Sequence, residues 1–97
     1  MPELAQVLAE LRSIQPELAR RHVARIGVFG SVARGEAGPD SDIDVLVEMT
    51  PEGDLFDLVG VKHLLETRLA RRVDVVPIGG LKGDAKANIL REVRYAA

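Results

Sequence analysis

The chain contains no cysteine. That absence excludes disulfides, thiolate metal sites and a cysteine nucleophile. Aromatic residues are almost as scarce: two Phe and one Tyr, at Phe29, Phe56 and Tyr95. A core must therefore come from Leu, Val, Ile and Ala. Asn88 is the single asparagine and there are two glutamines, a scarcity shared with heat-adapted proteins. Neither sign of charge dominates, with 13 Lys and Arg against 15 Asp and Glu for a net charge of -2. No long electrostatic footprint for nucleic acid follows, so direct DNA binding is not expected. No apolar run approaches the ~20 residues that span a bilayer. The N-terminal segment has no basic start followed by an apolar block, so a cytoplasmic protein without membrane association is expected.

What the chain does have is 97 residues, 46% hydrophobic and 29% charged, the profile of one small globular domain over residues 1–97. Pro2-Glu3 suits a helix first turn, and Leu4, Val7, Leu8 and Leu11 follow at helical spacing. Pro16 interrupts this pattern and opens a short second helix to about Arg21. Arg25 to Phe29 is expected as a strand ending at Gly30. Ser31 to Glu36 forms one or two helical turns with Ser31 as N-cap. Gly38-Pro39-Asp40 is a loop. Asp42 to Glu48 is a second strand, because Ile43, Val45 and Val47 alternate. Leu55 to Leu69 reads as a helix with Leu55, Phe56, Val59, Leu64, Leu65 and Leu69 on a broad apolar side. Arg72 to Ile78 is a third strand. Lys82 to Tyr95 is a final helix with Ile89, Leu90 and Val93 inward. The expected fold class is α/β (α+β): a small three-stranded mixed sheet with flanking helices.

Connection lengths say how the strands meet. About a dozen residues separate strand one from strand two, which suits an antiparallel pair. A full helix joins strands two and three, as a parallel pair requires. Parallel neighbours bring their N-terminal ends together. Asp42 and Asp44 open strand two, and Asp74 opens strand three. The three carboxylates and Gly30-Ser31 are thus expected at one edge of the sheet.

That arrangement has a chemical meaning. Residues two apart on a strand point the same way, about 6.5–7 Å apart at Cα. Carboxylates held so close repel, which raises a pKa or demands a cation. Hard oxygen donors suit Mg²⁺ or Mn²⁺, which also bind substrate phosphates. Two such ions can clamp the attacking and leaving oxygens of a displacement at phosphorus. Gly30 lets the backbone approach a phosphate, and Ser31 offers a hydroxyl and an N–H at a helix start. Arg34, one turn later, adds a charged fork. Taken singly, Gly30-Ser31 reads as an ordinary turn and Asp42-x-Asp44 as surface aspartates. Their joint occurrence with Asp74 favours phosphate chemistry.

Gly30-Ser31-x-x-Arg34-Gly35, five residues, then Ser41-Asp42-x-Asp44 is similar to the signature of the DNA polymerase β-like nucleotidyltransferase superfamily. The length resembles its minimal nucleotidyltransferase (MNT) branch, and Asp74 in Val73-Asp74-Val75-Val76 falls where that family places its third carboxylate. The resemblance implies a polymerase β-like core in which Asp42, Asp44 and Asp74 bind two Mg²⁺ ions, with Mn²⁺ as a substitute. Asp74 would also help deprotonate an incoming hydroxyl. Gly30, Ser31 and Arg34 would hold the phosphates of ATP, and attack at the α-phosphorus would transfer AMP and release pyrophosphate. Ser41 would be a structural hydrogen-bonder. The resemblance further implies a HEPN-domain toxin as partner, with AMP added to one of its tyrosines and this chain acting as antitoxin, in a homo- or hetero-oligomer. Two alternatives remain: an antitoxin that works by binding alone, and a transferase acting on a small hydroxylated molecule or an RNA end.

Other residues carry less. Gly79-Gly80-Leu81-Lys82-Gly83-Asp84 lacks the spacing of a phosphate-binding G-x-x-x-x-G-K-[ST] loop. His22 and His63 lack zinc-site company and are expected at the surface. The pairs Arg20-Arg21 and Arg71-Arg72 are expected as solvated surface. Asp54 and Asp57 suit a helix start.

Overall fold

The computed structural model describes residues 3–96. Pro2, expected in the first helical turn, lies outside the described residues. Helix α1 (Leu4–Ser13) buries Val7 and Leu11 at helical spacing, and Pro16 sits in the first turn of α2 (Gln15–Arg20). There its missing N–H costs no helical bond. Strand β1 (Val23–Phe29) leads into α3 (Gly30–Arg34), and β2 (Ile43–Met49) returns antiparallel to β1. Helix α4 (Leu55–Leu69) crosses over to β3 (Val73–Pro77), which pairs parallel with β2. Helix α5 (Gly83–Glu92) follows, and β4 (Arg94–Tyr95) pairs antiparallel with β1. The sheet order is β3-β2-β1-β4. Among the described residues no helix is long and apolar enough to cross a membrane.

The core lies on one side of the sheet. Val7, Leu11, Ile14 and Leu18 from α1 and α2, with Val61 and Leu65 from α4, meet Val28, Ile43, Val45, Val47 and Val73. Alternation along β2 directs Ile43, Val45 and Val47 into this cluster, and Leu46 is buried as well. Each such side chain contributes roughly 1.5–3 kcal/mol of burial free energy.

Three expectations need correction. The sheet has four strands rather than three, because the last helix stops at Glu92 instead of Tyr95. Arg94-Tyr95 continues as a strand on the free edge of β1, and the Ala96 N–H donates to the Ile26 carbonyl at 2.9 Å. An open edge offers unpaired backbone groups that outcompete one more helical turn. Gly27 leaves room for this strand, and the Arg25 guanidinium covers the Tyr95 ring at 3.8 Å. The apolar side of α4 is also narrower than its composition implied. Val61, Leu64, Leu65 and Leu69 form the stripe turned inward, whereas Leu55, Phe56 and Val59 are exposed, Phe56 by 84%. Phe56 and Val59 fall on the far side of the helical wheel from that stripe. Leu90 of α5 is likewise exposed rather than inward.

Local capping accounts for where α4 begins. The Asp57 N–H donates to Asp54 Oδ1 at 2.9 Å, and the Asp54 N–H donates to Asp57 Oδ2 at 3.1 Å. This reciprocal box satisfies two free amides at the helix start. His22 Nδ1 lies 2.9 Å from Asp57 Oδ2, so His22 is a half-buried partner of that cap.

Gly27 tests the docking of β4. A Cβ there would lie 2.7 Å from Val93 Cγ2 and 2.9 Å from the Arg94 carbonyl oxygen. Gly27→Ala is expected to cost about 1–3 kcal/mol by overpacking, read as a lowered urea midpoint. An unchanged midpoint would mean that β4 is not held against β1.

Candidate active site

The β1–α3 turn sets the geometry. Phe29, the last residue of β1, is the register partner of Asp44 on β2. Gly30 then takes φ +74°, a left-handed conformation that favours glycine. A Cβ at this position would also run into Asp44 Oδ2. Backbone and carboxylate therefore approach as closely as they do only because residue 30 has no side chain. Ser31 is half-buried in the first turn of α3, and Val32 anchors that helix in the core. Phe29, rather than Ser31, is the N-cap residue. Gly35, with φ +74°, ends the helix in a left-handed turn.

The carboxylates come from neighbouring strands. Asp44 and Asp74 are register partners on parallel β2 and β3, whose backbones lie about 4.8 Å apart. Burial is the main cause that raises the Asp44 pKa above the ordinary carboxylate value, followed by the charges of Asp74 and Asp42. Arg34 opposes this shift, and Glu92 adds to it. Asp42 lies just ahead of β2 rather than within it, and its Oδ1 sits 3.2 Å from Arg72 Nε. It acts on Asp44 through its charge.

The structure brings together Gly30, Asp44, Asp74 and Arg34. Among the described residues no three Asp, Glu or His side chains surround a common point as a ready-made metal cage. The donor set still fits a hard divalent cation. Asp44 and Asp74 form an open oxygen platform carrying like charge, and Mg²⁺ characteristically takes one or two carboxylates and completes its shell with water and phosphate.

Two contributors escaped the sequence reading. Glu92, at the end of α5, accepts the Gly30 N–H at 2.8 Å on Oε1. It also receives Arg34 Nη1 at 3.1 Å on Oε2 and 3.3 Å on Oε1. These contacts, the Gly30 amide first, hold the Glu92 pKa below its usual value. Arg34 Nε donates to Glu36 Oε1 at 2.8 Å, so its guanidinium is held from two sides. The only sequence hint of Glu92 is an acidic residue in the last turn of a helix, where the macrodipole disfavours it.

Arg71 is the second. Its Nη2 donates to the carbonyls of Pro39 at 2.6 Å and Ser41 at 2.9 Å, with Gly38 at 3.4 Å. Ser41 Oγ accepts the Gly38 N–H at 2.9 Å, the structural bond anticipated for it. Arg71 is thus a clasp on the loop that delivers Asp42, whereas Arg72 is solvated as expected. A cavity of about 610 Å³ lies between α1 and the end of α4, and neither Asp44 nor Asp74 lines it. A smaller one of about 360 Å³ is lined by Asp42, Arg71 and Arg72.

The chain thus sets two carboxylates on neighbouring parallel strands beside a glycine turn, at one edge of a mixed sheet. Residues 4–96 match the family described as nucleotidyltransferase domain, and the chain belongs to that family. It is 40% identical over 96 residues to the protein adenylyltransferase MntA of Thermococcus cleftensis, covering 98% of this chain and 97% of that one. A solved structure described as a candidate minimal nucleotidyltransferase superposes with a TM-score of 0.84 at 39% identity, over 96% of this chain and 95% of that chain. The solved complex of a tri-AMPylated Shewanella oneidensis HEPN toxin with MNT antitoxin has the same fold, with a TM-score of 0.63 at 17% identity over 93% of this chain and 71% of that chain.

The raised Asp44 pKa makes a stability prediction. The folded state binds the Asp44 proton more tightly than the unfolded state, so Asp44 favours folding most below its unfolded pKa. That benefit is lost as pH rises through the folded value. At neutral pH without cations, Asp44→Asn should therefore raise the melting temperature by a few degrees, and the gain should shrink in acid. A lower melting temperature at neutral pH would show that the Asp44 charge is not under strain.

Proposed function

We propose that this chain transfers AMP from ATP to a tyrosine hydroxyl of a HEPN-domain toxin, with Mg²⁺ as cofactor, and so acts as its antitoxin. The observation that carries this reading is the placement of Asp44 and Asp74 side by side against the Gly30 turn. The relative MntA, a protein adenylyltransferase by name, and the tri-AMPylated HEPN toxin in complex with MNT antitoxin support the choice of acceptor.

In this reading Asp42, Asp44 and Asp74 hold the metal, as two Mg²⁺ ions or Mn²⁺ in their place. When bound, the cations neutralise charge on the phosphates and on the leaving pyrophosphate. The Gly30 and Ser31 backbone amides, the Ser31 hydroxyl and the Arg34 guanidinium orient the triphosphate. Asp74, exposed at the start of β3, accepts the proton of the incoming tyrosine hydroxyl. The tyrosine oxygen bonds to the α-phosphorus as its bond to the bridging oxygen breaks, and pyrophosphate leaves. Positioning and electrostatics dominate such a transfer.

A second reading, neutralisation by binding alone, draws on one feature. Gly30, Arg34 and Asp42 already have partners within the chain, in Glu92, Glu36 and Arg72. The two readings separate in one assay. ATP labelled on the α-phosphate is mixed with Mg²⁺, the chain and the HEPN-domain product of a neighbouring gene. Transfer of label to the toxin is expected, and Asp44→Asn should reduce it about a hundredfold or more. Neutralisation that survives Asp44→Asn without label would establish binding alone.

A further inference from the structure

We infer that Glu92 is a resident competitor of the substrate: its carboxylate occupies the anion site formed by the Gly30 N–H and Arg34, and a triphosphate binds there by displacing it. The inference rests on the nucleotide site proposed above and assigns to it a residue that sets its affinity. Three observations support it.

The donors are the same. The Gly30 N–H and Arg34 Nη1, which would face phosphate oxygens, both donate to Glu92 in this structure. A carboxylate there satisfies the geometric and charge preferences that a phosphate would. The charge does not permit both. Glu36, Glu92, Asp42, Asp44 and Asp74 stand around the site, with Arg34 and Arg72 as the cations paired among them. A triphosphate added to this set meets strong repulsion until divalent cations arrive and Glu92 moves away.

The exit is also local. Glu92 is followed by Val93 in extended conformation and by β4, which is hydrogen-bonded to β1. Its backbone is fixed unless β4 peels from the sheet. The side chain, 28% exposed, can turn to solvent by rotation about its own bonds. Arg34 would stay in place, because Glu36 holds its Nε from the other side. Glu92 thus keeps Arg34 preset at the cost of nucleotide affinity. The apparent affinity falls in proportion to the fraction of molecules in which the site is open.

The test measures binding by calorimetry for wild type, Glu92→Gln and Glu92→Ala. The probes are a non-hydrolysable ATP analogue and inorganic tripolyphosphate, each with Mg²⁺. Both variants should bind the analogue about three- to tenfold more tightly than wild type. Glu92→Gln retains an oxygen for the Gly30 N–H, so it remains informative if Glu92→Ala fails to fold. Unchanged or weaker binding by folded Glu92→Gln would overturn the inference and leave Glu92 as a clip between α3 and α5. Tighter tripolyphosphate binding without any analogue binding would support the Glu92 role and sink the nucleotide reading. No binding of either probe to wild type or to Glu92→Gln would overturn both.

Discussion

The close approach of Gly30 to Asp44 is the constraint on which the site depends. A left-handed turn at the end of β1 brings the start of α3 against the first residues of β2. Any side chain at residue 30 would collide with the Asp44 carboxylate. The parallel crossover through α4 then sets Asp74 beside Asp44. The core residues Val28, Val32, Val45 and Val61 hold these elements in register, so this edge is built on rigid secondary structure.

The same edge concentrates negative charge, and the chain manages it in two ways. Some groups are paired internally: Asp42 with Arg72, Glu36 and Glu92 with Arg34. These pairs are largely exposed and contribute little stability. Their effect is to preset side chains. Asp44 is handled differently. It is partly removed from water beside Asp74, and burial followed by the neighbouring charges raises its pKa. A site that is electrostatically unfavourable when empty gains free energy when ligand binds, at some expense to the stability of the free chain.

The fold was largely legible because local signals agreed. Alternation in Ile43, Val45 and Val47, the Asp54 cap and the helix-length crossover all point to the same β-α-β arrangement. The juxtaposition of Gly30, Asp44 and Asp74 could be inferred from spacing, since strand direction follows from connection length. What could not be read was tertiary. Tyr95 becomes a strand residue because β1 has a free edge and Gly27 leaves it room, and neither fact is local to Tyr95. Arg71 looks like surface until the loop carbonyls that receive it are seen. Glu92 lies 62 residues from Gly30 in sequence, and no motif spacing links them. Asp42, expected within the strand, stands one residue ahead of its start, and its ion pair with Arg72 has no spacing signal of its own.

The most direct measurement is a crystal structure of the chain with Mn²⁺ and a non-hydrolysable ATP analogue, with the ions located by anomalous scattering. The expected result is Mn²⁺ against Asp44 and Asp74, phosphates on the Gly30-Ser31 amides and Arg34, and the Glu92 carboxylate displaced from Gly30. Mn²⁺ bound elsewhere, or a nucleotide seated away from Asp44 with Glu92 still on the Gly30 N–H, would contradict the assignment of this edge as the catalytic site.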